Sequence, residues 1–312
     1  MLIVNSIMSS IVPRKLAIYY GWPSVVNGAF GDINTAIDSF KDYKLLVFGQ
    51  GLENSNHGDH GNTIAIISHI DMVNTFVFGY IDSTLPTDEI LEKIQLWSAM
   101  GVKGIFLDRF GYDFGVTRDK QRQIIWSVHH SCSGTTHTNL KAFVNAWNPD
   151  DVFGSVMDPV NNPTGKNTLL NSNDWYLAES FAVINSTYDD ASNNNYMGDV
   201  KDWEVKATKL VNYRNMYSTK IAAIATSDGS TFDQNQANYS YYASVINEFD
   251  AWGWGENSYS ATNGSMPFRQ RAKVIGTKFI NGQINTNGVL ERQVNAGIHI
   301  DTNTHVVNII LD

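Results

Sequence analysis

The chain has 312 residues, 43% of them hydrophobic and 17% charged, which describes a globular protein with room for one large α/β domain and a small appendage. A net charge of −9, with Lys and Arg scattered rather than clustered, excludes a phosphate-binding surface and with it nucleic acid as a partner. No apolar run reaches the length of a membrane span, so no membrane insertion is expected, and the one cysteine, Cys132, excludes an intramolecular disulfide.

Residues 1–14 read as an apolar N-terminal arm. They carry no basic residue ahead of the apolar part and no small-x-small cleavage site, so a packing arm is expected rather than a signal peptide. From residue 15 a unit repeats: a short apolar run, a polar turn, an amphipathic segment, then another apolar run. Strands are predicted over 15–22, 44–50, 75–82, 101–110, 140–148, 175–181, 220–228 and 251–257. Helices are predicted over 32–41 and 63–72, then after residue 84, with Pro86, Asp88 and Glu89 in the first turn. Further helices are predicted after Thr117 as N-cap, over 197–217 and over 239–249. A Pro- and Asn-rich excursion runs to residue 173.

Strict alternation of eight strands with helices predicts an α/β fold, a (β/α)8 TIM barrel over 15–265. A doubly wound open sheet is disfavoured, because no Gly-rich phosphate fingerprint follows the first strand. From residue 266 the chain turns to short alternating runs with Asn-Gly pairs. These predict a small C-terminal antiparallel β module over 266–312 for attachment or oligomerisation.

In such a barrel the strand ends converge on one mouth, where the chemistry sits. The run Gly104-Ile-Phe-Leu-Asp108 ends in a carboxylate, and Glu179 follows Trp175-Tyr-Leu-Ala in an apolar surround that would raise its pKa. Two carboxylates flanking a bond are the minimum machinery for glycoside hydrolysis, which makes Asp108 and Glu179 the candidate catalytic pair. Trp22, Tyr80, Tyr112, Trp147, Trp252 and Trp254 are candidate sugar platforms, with core packing the competing role for about half of them. Asp82, Arg109, Asn145, Asn148, Asp228 and Glu256 are candidate polar contacts to substrate. Helix capping competes for Asp82, turn formation for Asp228, and pairing with Arg109 for Glu256. His57, Asp59 and His60 share one Gly-rich loop without a strand-borne third ligand, so neither a metal nor another cofactor is expected. No Gly-x-Ser-x-Gly nucleophile motif occurs.

The first strand reads Ala17-Ile-Tyr-Tyr-Gly-Trp-Pro23, the third Val77-Phe-Gly-Tyr-Ile-Asp82 and the fourth Gly104-Ile-Phe-Leu-Asp108. With Ala178-Glu179-Ser180, these resemble the spherulin-4-like proteins and the endo-α-1,4-polygalactosaminidase family of barrel glycosidases. The resemblance spans residues 15–230 as an order of strands. It implies a TIM-barrel glycoside hydrolase in which Asp108 and an acid on a later strand act on amino-sugar polymers. The family places a second acid directly after the aspartate, where this chain has Arg109. A guanidinium there either keeps Asp108 ionised as a nucleophile or marks a site that has become a binder. The tail and the Asn-rich style look like those of a phage tail or capsid-surface protein.

Two functions follow as expectations. One is a glycoside hydrolase acting on an extracellular polysaccharide, located outside the cell or on a virion surface, with homo-oligomer or virion assembly through the C-terminal module. The other is a non-catalytic glycan-binding or structural virion protein on the same barrel.

Overall fold

The computed structural model of the protein describes residues 12–71, 75–132, 139–189, 202–228, 232–256, 272, 279–286, 288–293 and 296–311. Eight parallel strands close into a barrel: β1 (Arg14–Tyr19), β2 (Leu45–Phe48), β3 (Phe76–Asp82), β4 (Gly104–Asp108), β5 (Lys141–Asn145), β6 (Trp175–Glu179), β9 (Lys220–Thr226) and β10 (Ala251–Gly255). A short hairpin of β7 (Val183–Ile184) and β8 (Thr187–Tyr188) follows β6. The helices are α1 (Ile33–Phe40), α2 (His60–Asp71), α3 (Thr87–Ala99), α4 (Arg118–His129), α5 (Pro149–Phe153), α6 (Asp202–Tyr217) and α7 (Gln234–Ile246). Asp32 caps α1 by accepting from the Thr35 amide at 2.7 Å, and Thr117 caps α4 as its sequence position predicts.

The strand register keeps one side-chain parity inside the ring. Leu16, Val47, Phe78, Phe106, Phe143 and Trp175 fill the interior, while the residues between them, such as Ala17, Leu46, Val77 and Ile105, pack outward against the helices. Carried to the mouth, the inward parity is that of Tyr80, Asp108, Asn145 and Glu179. The ring closes where β1 meets β10, Arg14 opposite Ala251. Gly253 belongs at this seam, because a Cβ there would stand 2.6 Å from the Leu16 carbonyl oxygen. At the opposite end of the barrel the fully buried Asp174 accepts from the Ala142 and Asn171 amides and from His129 Nε2, each at 2.9 Å.

Beyond the barrel, β11 (Ile284–Thr286), β12 (Val289–Gln293), β13 (Ala296–Asp301) and β14 (Val306–Leu311) form an antiparallel sheet in that order. Thr286 pairs with Val289 and Gly288 has a φ of 83°, in keeping with the hairpin that the Asn-Gly signal predicts. Leu290, Ile298 and Ile300 are buried where the sheet packs on α7. Arg292 fastens this packing by donating to the Ile246 carbonyl (2.8 Å) and to Glu248.

Helix α7 therefore lies between barrel and sheet and is buried nearly all round. That is why its start, predicted at 239, falls at 234 instead: a helix covered on both sides shows no amphipathic period. The strand predicted over 140–148 stops at Asn145, because Asn148 begins the cap of α5. Residues 1–11 of the predicted arm lie outside the described residues, and Arg14 already belongs to β1. Among the described residues no helix is long and apolar enough to cross a membrane.

Candidate active site

Asp108 ends β4 and Glu179 ends β6, both at the mouth. Between them stands Asn145, the last residue of β5. Its Nδ2 donates to Asp108 Oδ1 at 2.9 Å and to Glu179 Oε2 at 2.7 Å. Only the NH2 end of the amide can face two carboxylates, since its oxygen would repel both. The two acid oxygens are thus no farther apart than these two hydrogen bonds laid end to end. The second oxygen of Asp108 accepts from the Tyr80 hydroxyl at 2.8 Å, which fixes the plane of the carboxylate. Burial, and then the neighbouring Asp108 charge, push the ionisation of the Tyr80 phenol well above its ordinary range, so it remains a donor.

Arg109 does not neutralise Asp108. Its φ of 53° turns the chain away from the barrel axis, and its Nη1 lies 3.4 Å from Asp82 Oδ2. The guanidinium also stands 5.7 Å from the ring centroid of Phe114. Asp82 is further engaged by the amide and hydroxyl of Thr84, at 2.9 and 2.7 Å. It shapes the turn after β3 and holds Arg109.

Asp108, Arg109, Asp113, Phe114, Asn145, Ala146, Trp147 and Glu179 line a cleft of about 290 Å³. Trp147 also packs against Lys206, whose Nζ lies 4.1 Å from the ring centroid. Asp113, Phe114 and Ala146 were beyond reach of a strand-end rule, because they lie on the segments that follow β4 and β5. Gln50 stands at the mouth, as its place at the end of a predicted strand implies, and Tyr20 joins it there without having been a candidate. They line, with Tyr80, a second groove at the same mouth.

The other candidates stand elsewhere. Trp254 is buried in the outer layer against Phe232, because Ala251, Gly253 and Gly255 take the inward parity of β10 and leave Trp252 and Trp254 facing the helices. Neither tryptophan is a sugar platform. Asn148 caps α5, its side chain accepting from the Asp150 amide and donating to Asp151. Tyr112 packs at the guanidinium of Arg118, 5.9 Å from its ring centroid, and its amide donates to Asp151. Asp228 is tied to the hydroxyl of Ser186 in the β7–β8 turn. Trp22, half-exposed, leans edge-on against His57. Glu256 is half-buried just beyond β10 and is not part of the cleft lining.

The His57 loop holds itself together. Asp59 accepts from the Ser24 amide and hydroxyl at 3.1 and 2.5 Å and from Asn62, while His60 Nδ1 meets the Leu52 carbonyl. Among the described residues no three His, Cys, Asp or Glu side chains are grouped to hold a metal ion.

No family model matches the sequence, and no curated protein matches it. Among solved structures the chain is similar to the glycoside hydrolase domain of PelA from Pseudomonas aeruginosa, at 11% identity over 79% of this chain and 96% of that one, with a TM-score of 0.46. It is similar to a glycoside hydrolase family 5 enzyme from Prevotella bryantii at 8% identity over 72% and 78%, TM-score 0.40. An HpcH/HpaI aldolase from Desulfitobacterium hafniense matches at 6% identity over 79% and 87%, TM-score 0.44. These matches cross unrelated chemistries, so the reading of the site rests on its own residues.

Proposed function

We propose that the protein is a glycoside hydrolase that cleaves a polysaccharide with retention of configuration. The observation that carries this reading is the shared amide of Asn145, which keeps the facing oxygens of Asp108 and Glu179 within the reach of two hydrogen bonds of 2.9 and 2.7 Å, short of the roughly 6.5–9.5 Å between carboxyls at which an inverting enzyme admits its water. Asp108, with both oxygens held, attacks the anomeric carbon. Glu179 gives its proton to the departing glycosidic oxygen as that bond breaks, leaving a glycosyl ester on Asp108. A water then loses a proton to Glu179 and attacks the same carbon, and the Asp108 carboxylate leaves.

Asp82, Asp108, Asp113 and Glu179 surround the mouth against the guanidinium of Arg109. Such a balance favours a neutral or amino-bearing sugar over a uronic acid, in keeping with the amino-sugar polymers that the sequence resemblance implies. The same reading places the protein outside the cell or on a virion surface, with assembly through the C-terminal sheet.

The test is reducing-end release on a panel of bacterial exopolysaccharides that includes a galactosamine polymer. Asp108→Asn and Glu179→Gln should each lower turnover by about a thousandfold or more with the fold intact, and NMR of the first product should show the retained anomer. Full activity in either variant removes the assignment. Binding to glycans without turnover by the natural chain supports the glycan-binding module instead.

A further inference from the structure

The acid pair leaves one feature of the mouth unexplained. A groove of about 440 Å³, larger than the cleft at Asp108, is lined by Tyr20 and Gln50, just beyond β1 and β2, and by Tyr80, near the C-terminal end of β3. Tyr80 links this groove to Asp108, which lines the cleft. Its hydroxyl donates to Asp108 on one side, and its ring meets Tyr20 edge-on, with centroids 5.4 Å apart, on the other.

The backbone is arranged to assemble this groove. At Gly49 a Cβ would stand 2.9 Å from the Tyr20 Cα and 3.2 Å from its carbonyl oxygen. Glycine alone lets the end of β2 lie this close to Tyr20, and so sets Gln50 beside it. Tyr20 itself is 39% exposed at the mouth, although every residue of β1 from Leu16 to Tyr19 is buried.

A partly exposed phenol ring presents a flat apolar face to the C–H face of a pyranose. A primary amide offers one acceptor and two donors to vicinal hydroxyls. The groove lies within the range of about 300–1,000 Å³ that small-molecule sites occupy, and the Tyr80 hydroxyl ties it to Asp108 of the cleft.

We propose that the groove of Tyr20, Gln50 and Tyr80 is a second sugar-binding subsite, which takes the glycan unit next to the one held at the acid pair. Tyr20 is its platform and Gln50 reads ring hydroxyls. The inference rests on reading the acid pair as glycoside-cleaving. It makes the substrate a chain that crosses Tyr80, so that binding outside the cleft is used to position the scissile bond.

The probes are α-1,4-linked galactosamine oligomers, free and N-acetylated, as dimers and tetramers. Turnover is followed with the full chain, and binding is measured by calorimetry on the Glu179→Gln variant. We expect kcat/KM to rise about tenfold or more from dimer to tetramer, the worth of one further subsite. Tyr20→Ala and Gln50→Ala should bring that ratio down towards one, whereas Tyr20→Phe, which keeps the ring, should preserve it. If Tyr20→Ala does not fold, Gln50→Ala and Tyr20→Phe carry the test. A tetramer-to-dimer ratio unchanged in Gln50→Ala and Tyr20→Ala overturns the subsite and leaves the catalytic reading standing. Length-dependent binding that needs Tyr20, with no cleavage by the natural chain, keeps the subsite and removes the catalysis. Oligomers that neither bind nor turn over remove both.

Discussion

Arg109 and Ser180 share one backbone state: each directly follows an acid of the candidate pair, and each is left-handed, with φ of 53° and 54°. The chain leaves the barrel at both places by a conformation that non-glycine residues adopt at a cost of about 1–2 kcal/mol. The turn carries the next residues off the strand direction and leaves Asp108 and Glu179 as the last inward side chains. Arg109→Gly should therefore raise stability by up to about 1 kcal/mol, since the ion pair it gives up is exposed and long. Denaturant unfolding measures this. A loss above 1 kcal/mol would show that contacts of the guanidinium, with Asp82 and Phe114, outweigh the strain.

Asn145→Ala should lower kcat by about a hundredfold while KM changes less, because the amide positions both acids. Steady-state kinetics on whichever polymer is cleaved decides this. A variant as fast as the natural chain would leave the amide without a part in the reaction.

Five tyrosines, Tyr80, Tyr112, Tyr188, Tyr239 and Tyr242, have their ionisation pushed up, in each case chiefly by burial. In the unfolded chain these phenols ionise near the ordinary value of about 10. Below that pH both states hold the proton and stability is unaffected. Above it the unfolded state sheds protons that the folded state keeps, so stability falls as pH rises. Unfolding midpoints should stay level from neutrality to about pH 9.5 and then drop. Tyr239→Phe should make the drop shallower; midpoints flat beyond pH 11 would contradict the burial of these rings.

Asp174→Ala should cost about 3–5 kcal/mol, because it leaves the buried Ala142 amide, the half-buried Asn171 amide and His129 without their acceptor. Asp174→Asn, which keeps one acceptor oxygen, should cost less. Equal losses in the two variants, by thermal or chemical unfolding, would mean that volume rather than hydrogen bonding sets the effect.

The barrel was legible because each strand is buried on both faces and ends in a polar turn, and because Asp32 and Thr117 mark helix starts by their side chains alone. The acid pair followed from strand ends. The face of each end did not follow, since a strand apolar on both sides carries no alternation to read. On β10 the small residues Ala251, Gly253 and Gly255 face inward, and the tryptophans that looked like sugar platforms are buried in the outer layer, Trp252 against α7 and Trp254 against Phe232. The partner of Arg109 was hidden too, because a left-handed residue re-aims a side chain in a way its neighbours in sequence do not announce. Phe114 and Asp113 lie on a turn whose path depends on Gly115, at φ 72°, and on Asp151 holding the Tyr112 amide.

The ring is fastened by Arg14 against Ala251, two positions more than 230 residues apart, so a growing chain carries a curled ribbon with two open margins until nearly all of its strands exist. Exposed margins invite pairing with other molecules, and the hazard lasts as long as synthesis of the intervening helices. A circular permutant opened between β4 and β5 would relocate that late joint to the middle of the ribbon, and its yield of soluble protein would report how far the natural joint governs assembly.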